Sequence, residues 1–315
     1  MRKYIGKDDG AKNFGRTYRL KFYNKNLDLI HSIVSDETNE WTGVRINFEI
    51  DQQVTTMCQQ ARISLYNLSE ETQSLISTAS RVVLEAGYEL NSGIIYSGSL
   101  VNALPLRVQP DFIYEMICMD YEDQYPPISV QIPKGQTPEE IIKQVAGAVK
   151  GLGVTTRNLK NLPTTVYNKR ININQMEYTQ ALQKVALLLD VRIWVTNGQI
   201  FALPNDLKNS PTSDIIEIDY TNGLIGSPVY NLANTGVNCT AMLDHRLVPS
   251  SIIKIVSKNP NVQMGQAKYI GFNQADLNRG QWIIYTANHK GDNRDGDWQS
   301  SLQSYSHTQL GKNLT

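Results

Sequence analysis

Three groups of residues in this chain have the types that chemistry requires. Ser251-Ile252-Ile253-Lys254 has the Ser-x-x-Lys spacing, which activates a nucleophile when the serine opens a helix and the lysine follows one turn later. Here the neighbours Ile252, Ile253 and Ile255 read as a strand, and on a strand positions i and i+3 point to opposite faces. Acyl transfer is therefore not expected. His289 and Asp292 offer one nitrogen and one carboxylate, but a zinc site needs a third or fourth ligand at workable spacing. They read instead as a strand-ending histidine and an aspartate that satisfy turn amides. Glu70, Glu71 and the group Asp120, Glu122, Asp123 supply the carboxylates that glycoside hydrolysis uses in pairs. No aromatic sugar platform accompanies them, so they read as helix-capping and loop charges. No phosphate loop or dinucleotide fingerprint is present. The residues predict a protein that is not an enzyme, with no catalytic, cofactor-binding or metal-ligating residues.

Composition narrows the remaining classes. The 315 residues carry 30 Lys and Arg against 30 Asp and Glu, a formal charge of zero, which lacks the basic footprint of a dedicated nucleic-acid binder. Lys143, Lys150, Arg157, Lys160, Lys169 and Arg170 cluster in sequence without interleaved stacking residues, and read as a solvated face. Cys58, Cys118 and Cys239 are far apart and odd in number. With no apolar signal region at the N-terminus, they read as reduced intracellular thiols. No apolar run approaches the length that spans a membrane, so this chain is expected not to insert in one. Tyr (16) outnumbers Phe (6), which suits half-wet faces and subunit contacts.

The elements that must position these residues are mostly short strands. A chain of this length is expected to form two or three domains. Residues 1–16 are polar and basic, a flexible arm. From 17 to 125 runs a β block. Thr17–Tyr23 and Gly43–Ile50 alternate, with Val44, Ile46, Phe48 and Ile50 on one side, and Asn24–Trp41 between them reads as a long loop. Ala61–Tyr66 is a strand. Ser69 then caps a short helix, about Glu70 to Thr78. Arg81–Ala86 and Ile94–Tyr96 follow, then Ser99–Leu104 and Phe112–Asp120, broken by Pro105 and Pro110. Residues 126–206 change character and form an α+β module. Thr137-Pro138-Glu139-Glu140 is a capping box with proline at the first helical position. A second helix covers Tyr178–Leu189 with Ala181, Leu182, Val185, Ala186, Leu188 and Leu189 inward. Asn197-Gly198 joins a tight hairpin. From 207 to 302 strands resume at Ile215–Tyr220, Gly236–Leu243 and Ile252–Ser257, before a hairpin that contains Trp282 and Trp298. Residues 303–315 form a polar tail.

Several words in this order resemble a known family. "YNLSEET" after a strand, then "VLEAGY" and "IYSG" between residues 66 and 98, resemble the first tube-forming domain of bacteriophage baseplate hub proteins. These are the tail protein D or late-control-D-like hubs, whose fold is shared with the hub part of type VI secretion spikes. The hairpin from Trp282 through His289-Lys290-Gly291-Asp292 to Gly296-Asp297-Trp298 closely resembles the family's last hairpin. At Asp244–Ser250 the family's corner carries Gly where this chain has Ser250, which leaves the turn type open. The resemblance implies a mainly β fold with two tail-tube-like barrels flanking the small α/β module. It implies a virion structural protein, assembled in the host cytoplasm. Such a protein is a homotrimeric hub whose pseudo-sixfold ring joins the tail tube, or a distal tube-initiator protein, to a central spike and other baseplate proteins. DNA would be a partner only in transit through the bore. Tyr66, Asn67, Tyr88, Tyr96, Trp282, His289, Asp292 and Trp298 are the expected structural and interface residues. The alternatives are the hub part of a type VI-like spike, against which the lack of a repetitive β-helix counts, and a receptor- or carbohydrate-binding tail module.

Overall fold

The computed structural model describes residues 4–5, 15–35, 43–120, 127–149, 153–154, 159, 162–205, 215–231, 236–263, 280–294 and 296–306. It has the expected mainly β class with a small helical insert, and its elements fall into three runs along the chain.

The first run is a β unit. β1 (Tyr4–Ile5) precedes it; β2 (Arg16–Tyr23), β3 (Leu29–Val34), β4 (Ile46–Gln53), β5 (Gln60–Tyr66), β6 (Arg81–Tyr88), β7 (Asn91–Val108) and β8 (Asp111–Met119) form it, with α1 (Glu70–Ser77) between β5 and β6. Strict alternation builds these strands. In β4, Ile46, Phe48, Ile50 and Gln52 are buried while Asn47, Glu49, Asp51 and Gln53 are exposed, so one face must find a core and the other must stay wet. The Ser69 hydroxyl caps α1 by accepting from the Thr72 amide, with Glu70 and Glu71 in the first turn. The helix buries Ile76 in the core of the unit.

Two readings need correction here. Asn24–Trp41 is not all loop, because Leu29–Val34 forms β3 against β2; an edge strand with a half-exposed face shows little alternation. The strand expected to break before Pro105 instead runs unbroken from Asn91 to Val108. Pro105 is tolerated because it lies on an edge that no described strand pairs, where its missing N–H costs no ladder bond.

The second run is the insert: β9 (Ile128–Ile132), α2 (Pro138–Gly147), β10 (Gly153–Val154), β11 (Ile171–Met176), α3 (Tyr178–Leu189), β12 (Val191–Thr196) and β13 (Gln199–Pro204). Both halves of the capping box are made at the start of α2. Asn197 and Gly198 both have positive φ, 55° and 69°, which a two-residue hairpin with matching twist demands. The insert has its own core of Ile141, Ile142, Val145, Leu182 and Val185 among others. Leu188, expected inward, is 40% exposed; it lies outside the stripe of Tyr178, Ala181, Leu182 and Val185 that α3 buries.

The third run is a second β unit: β14 (Ile215–Asp219), β15 (Leu224–Asn231), β16 (Gly236–Met242), β17 (Ile252–Val256), β18 (Asn261–Gln263), β19 (Trp282–Asp292) and β20 (Trp298–Ser306). β15 has no clear sequence signal, since Gly226 and Pro228 interrupt it. β20 continues past residue 302 to Ser306. Part of the basic N-terminal segment, Tyr4–Ile5, pairs in parallel with Ile215–Ile216.

The two β units repeat one topology. In the first, strands are hydrogen-bonded in the order β4-β5-β8-β7-β6-β2; in the second the order is β15-β16-β20-β19-β17-β14. The outermost pairing differs, antiparallel for β2·β6 and parallel for β14·β17. The helix α1 lies between β5 and β6, and the corner Asp244–Ser250 lies at the same place between β16 and β17. Ser250 adopts φ 75° there, a left-handed conformation that glycine takes without strain. The units are joined edge to edge by antiparallel pairing of β4 with β19.

Candidate functional site

The β4·β19 junction is where the residues singled out in the sequence converge. Its register runs from Thr286 opposite Gln53 to Asp292 opposite Asn47. Neither strand has this partner nearby in sequence; the pairing makes one continuous sheet from the two repeats.

On the inner face, the second unit plugs the core of the first. Trp298, at the start of β20, belongs to the first unit's core and is 4% exposed. Its ring meets Phe48 edge-on at 5.3 Å between centroids, and its Nε1 donates to the Gly87 carbonyl at 2.9 Å. The Tyr88 hydroxyl donates back to the Trp298 carbonyl. Burial lifts the Tyr88 phenol to about 12. Gly291 lies between the two rings: a Cβ there would stand 2.2 Å from Phe48 Cζ and 2.8 Å from Trp298 Cε3. Only a residue without a side chain lets the aromatic pair close.

His289 is wholly buried beside this pair. Its Nδ1 shares a hydrogen bond of 2.8 Å with the Ser300 hydroxyl across the hairpin, rather than with the turn amides expected from sequence. Burial lowers its pKa to about 4, so the ring is neutral. Asp292 does accept a turn amide, from Arg294. Its carboxylate is also held by Arg45, with Nη2 at 2.6 Å, and Arg16 donates to the Asp292 carbonyl at 2.7 Å. The Arg45 guanidinium lies over the Tyr66 ring at 4.7 Å, which ties the end of β5 to the same cluster. Tyr66, Tyr88, His289, Asp292 and Trp298 are therefore brought together.

The other three expected residues make different contacts. Trp282 is buried in the second core against Tyr230. Tyr96, on β7, is buried in the first unit's core. Asn67, with φ 56°, directly follows Tyr66 at that same end of β5, where it accepts from the Phe112 amide and donates to Asp111. Sequence reasoning missed Arg16 and Arg45. Neither has a periodic or motif signal, because each acts through a partner about 250 or more residues away.

The outer face of the joined sheet is polar. From β4 across the junction to β20 it presents Glu49, Asp51, Asn288 and Lys290, then Ser301 and Gln303, while on β5 and β8 Arg62 and Glu115 stand among Ile113, Ile117 and Met119. Opposite charges are paired: Lys290 with Glu49 at 2.7 Å and Arg62 with Glu115 at 3.9 Å, while Asn288 donates to Asp51 at 2.5 Å. Lys290 holds the Glu49 carboxyl below its usual pKa.

The catalytic candidates are apart. Ser251 donates to the Arg246 carbonyl, and Lys254 pairs with Glu217. Asp120 is buried, with its carboxyl pushed up to about 8 by burial; Glu122 and Asp123 lie outside the described residues, as do Lys150, Arg157 and Lys160 of the basic cluster. Lys143 pairs with Glu139. Among the described residues no group of three or more His, Cys, Asp or Glu is placed to hold a metal ion, and no helix is long and apolar enough to cross a membrane.

No family model matches the sequence, and no curated protein matches it. Solved structures do. A tail protein from Neisseria meningitidis MC58 superposes with a TM-score of 0.54 at 11% identity, covering 92% of this chain and 96% of its own. The 43 kDa tail protein of prophage MuSo2 from Shewanella oneidensis gives 0.55 at 9% identity, covering 94% and 98%. The E. coli c3393 protein, a type VI secretion component described as similar to the T4 tail proteins gp27 and gp5, gives 0.51 at 11% identity, covering 85% and 75%. The chain thus has the fold of these phage tail proteins and of the type VI secretion component.

Proposed function

We propose that this chain is a structural protein of a phage tail baseplate, a hub that assembles as a homotrimer into a ring of pseudo-sixfold symmetry. The observation that carries this reading is the repeat: one topology occurs twice in a chain, joined edge to edge through β4·β19. Three such chains present six similar β units, which matches a sixfold tail tube on one side while threefold symmetry remains for a central spike on the other. The likeness to tail proteins over nearly their whole length supports the same reading.

The mechanism is mechanical. Interlocked cores, with Trp298 of one unit inside the other, make the pair of units one stiff block. The polar, charge-balanced outer sheet face is suited to line a passage through which DNA moves without being held. The test is mass measurement in solution with end-on imaging of particles. A trimeric ring with six similar lobes is expected; a chain that stays monomeric at micromolar concentration and forms no ring would overturn the reading.

A further inference from the structure

The first β unit leaves one long element uncovered. β7 is bent: residues 91–99 pair with β6, while residues 99–108 pair with β8. Among the described residues, the segment beyond Ser99 has no strand on its other edge. It is apolar as well as open. Val101, Leu104, Leu106 and Val108 are between 42 and 56% exposed, the last three on one face of the strand. Contiguous exposed apolar residues of this kind mark an interaction surface.

The second unit shows what covers such an overhang. There β19 occupies the place of β7 and is bent in the same way. Its first residues, Trp282 and Ile283, pair with β17. Its far segment, Thr286–Asp292, carries β20 on one edge and β4, the first strand in the other unit's ladder, on the other. The rule within the chain is that one unit's overhang is received by the opening strand of the adjacent unit. One chain holds two units and can make this contact once. The overhang of β7 is left over, and so is the opening strand of the second unit, β15. Among the described residues, the outer edge of β15 carries only the three-residue parallel strand β18, at Val229–Asn231. Near it lie two further exposed apolar residues, Ile225 at 41% and Val262 at 39%.

We propose that the β7 overhang of one copy seats on the β15–β18 end of a second copy, repeating between chains the junction that β19 and β4 make within one. This rests on the ring reading and names the surfaces that close the ring. The contact is heterologous, joining two different patches, and such contacts form rings when their rotation closes. Pro105 and Pro228 interrupt the two edges and remove backbone donors. The contact is therefore carried mainly by the apolar side chains and by a ladder shorter than that of β4·β19.

Two experiments on the full chain test this. In the first, Leu104→Cys, Leu106→Cys or Val108→Cys is placed in one tagged chain and Ile225→Cys or Val262→Cys in a differently tagged chain. The native cysteines are buried or half-buried, and each variant oxidised alone is the control. Disulfide-linked pairs of unlike chains are expected on mixing. Linkage only between like chains would show a symmetric β7 contact and overturn the proposal. In the second, Leu106→Asp is expected to leave the melting temperature unchanged, since the residue is exposed, and to weaken self-association at least tenfold. Leu187→Asp on α3, at a side chain 78% exposed, is expected to change neither. If Leu106→Asp assembles as the native chain does, this contact is wrong and the ring reading stands. If the native chain itself stays monomeric, both fall.

Discussion

At the scale of single residues, the junction depends on close fits that local sequence does not reveal. Truncating a buried Trp costs about 3–5 kcal/mol, so Trp298→Ala is expected to lower unfolding free energy by that amount in a denaturant titration. An unchanged midpoint would show that Trp298 does not anchor the two units. Gly291→Ala adds a methyl where 2.2 Å separates its position from Phe48, and overpacking of this kind costs about 1–3 kcal/mol. His289 gives a pH signature. Its folded pKa is lowered from 6.5 to about 4 by burial, so between these values the unfolded chain binds the proton and the folded one does not. The stability from keeping the ring neutral is fully present above about pH 6.5 and is lost as pH falls towards 4. The loss is on the order of 3 kcal/mol, because each tenfold difference in proton affinity between the two states is worth about 1.4 kcal/mol. His289→Gln is expected to flatten that part of the stability–pH curve. A curve of unchanged slope would place the acid sensitivity elsewhere.

At the scale of elements, what is legible in the sequence follows the range of the forces involved. The helices are legible because their caps are local: Ser69 with Thr72, and Thr137 with Glu140. The Asn197-Gly198 turn is legible because positive φ selects those residues. β3 and β15 are not, although each pairs with the strand next to it in sequence, because β3 is a largely exposed edge strand with little alternation and β15 is interrupted by Gly226 and Pro228. β7 misleads at Pro105, since a proline forbids only the bond that an edge strand does not make. The junction residues Trp298, His289 and Asp292 stand out as a motif, and β4 and Gly87 are each legible too, but nothing local in sequence says that they meet. The insert is tied to the first unit by its hairpin tip in a similar long-range way. Asn197 Oδ1 accepts from the Ser97 amide at 2.8 Å, and Gln59 Nε2 donates to the Val195 carbonyl at 2.8 Å. The Asn197 amide donates to buried Asp120. Asn197→Ala loses the Ser97 bond and strains a left-handed residue, so it is expected to loosen this joint. Faster proteolytic release of the insert, with the β units intact, is the readout; cleavage at the native rate would show that the tip does not hold the joint.

At the scale of the whole molecule, a passage for DNA must let the polymer go. Each phosphate neutralised by a fixed Lys or Arg adds affinity that falls with salt, with a slope near −0.9 per contact on a log–log plot. The continuous outer sheet face has three carboxylates, Glu49, Asp51 and Glu115, against two cations, Arg62 and Lys290, which leaves one net negative charge. Both cations are engaged by carboxylates on the same face. Such a face offers phosphates no unopposed cation and repels them weakly inside a Debye length of about 8 Å at physiological salt. If this face lines the bore, the assembled protein is expected to show no change in the anisotropy of labelled duplex DNA at tens of micromolar protein and physiological salt. The double variant Glu49→Lys, Asp51→Lys reverses the balance by four charges per chain on strand β4 and frees Lys290. It is expected to bind DNA with an affinity that drops steeply as salt rises, while the ring still forms. Micromolar binding by the native protein with a steep salt slope would remove the passage role and favour a clamp that holds nucleic acid. A charge-reversed ring that binds no better than the native one would show that this face does not meet DNA, and that the bore is lined by other strands.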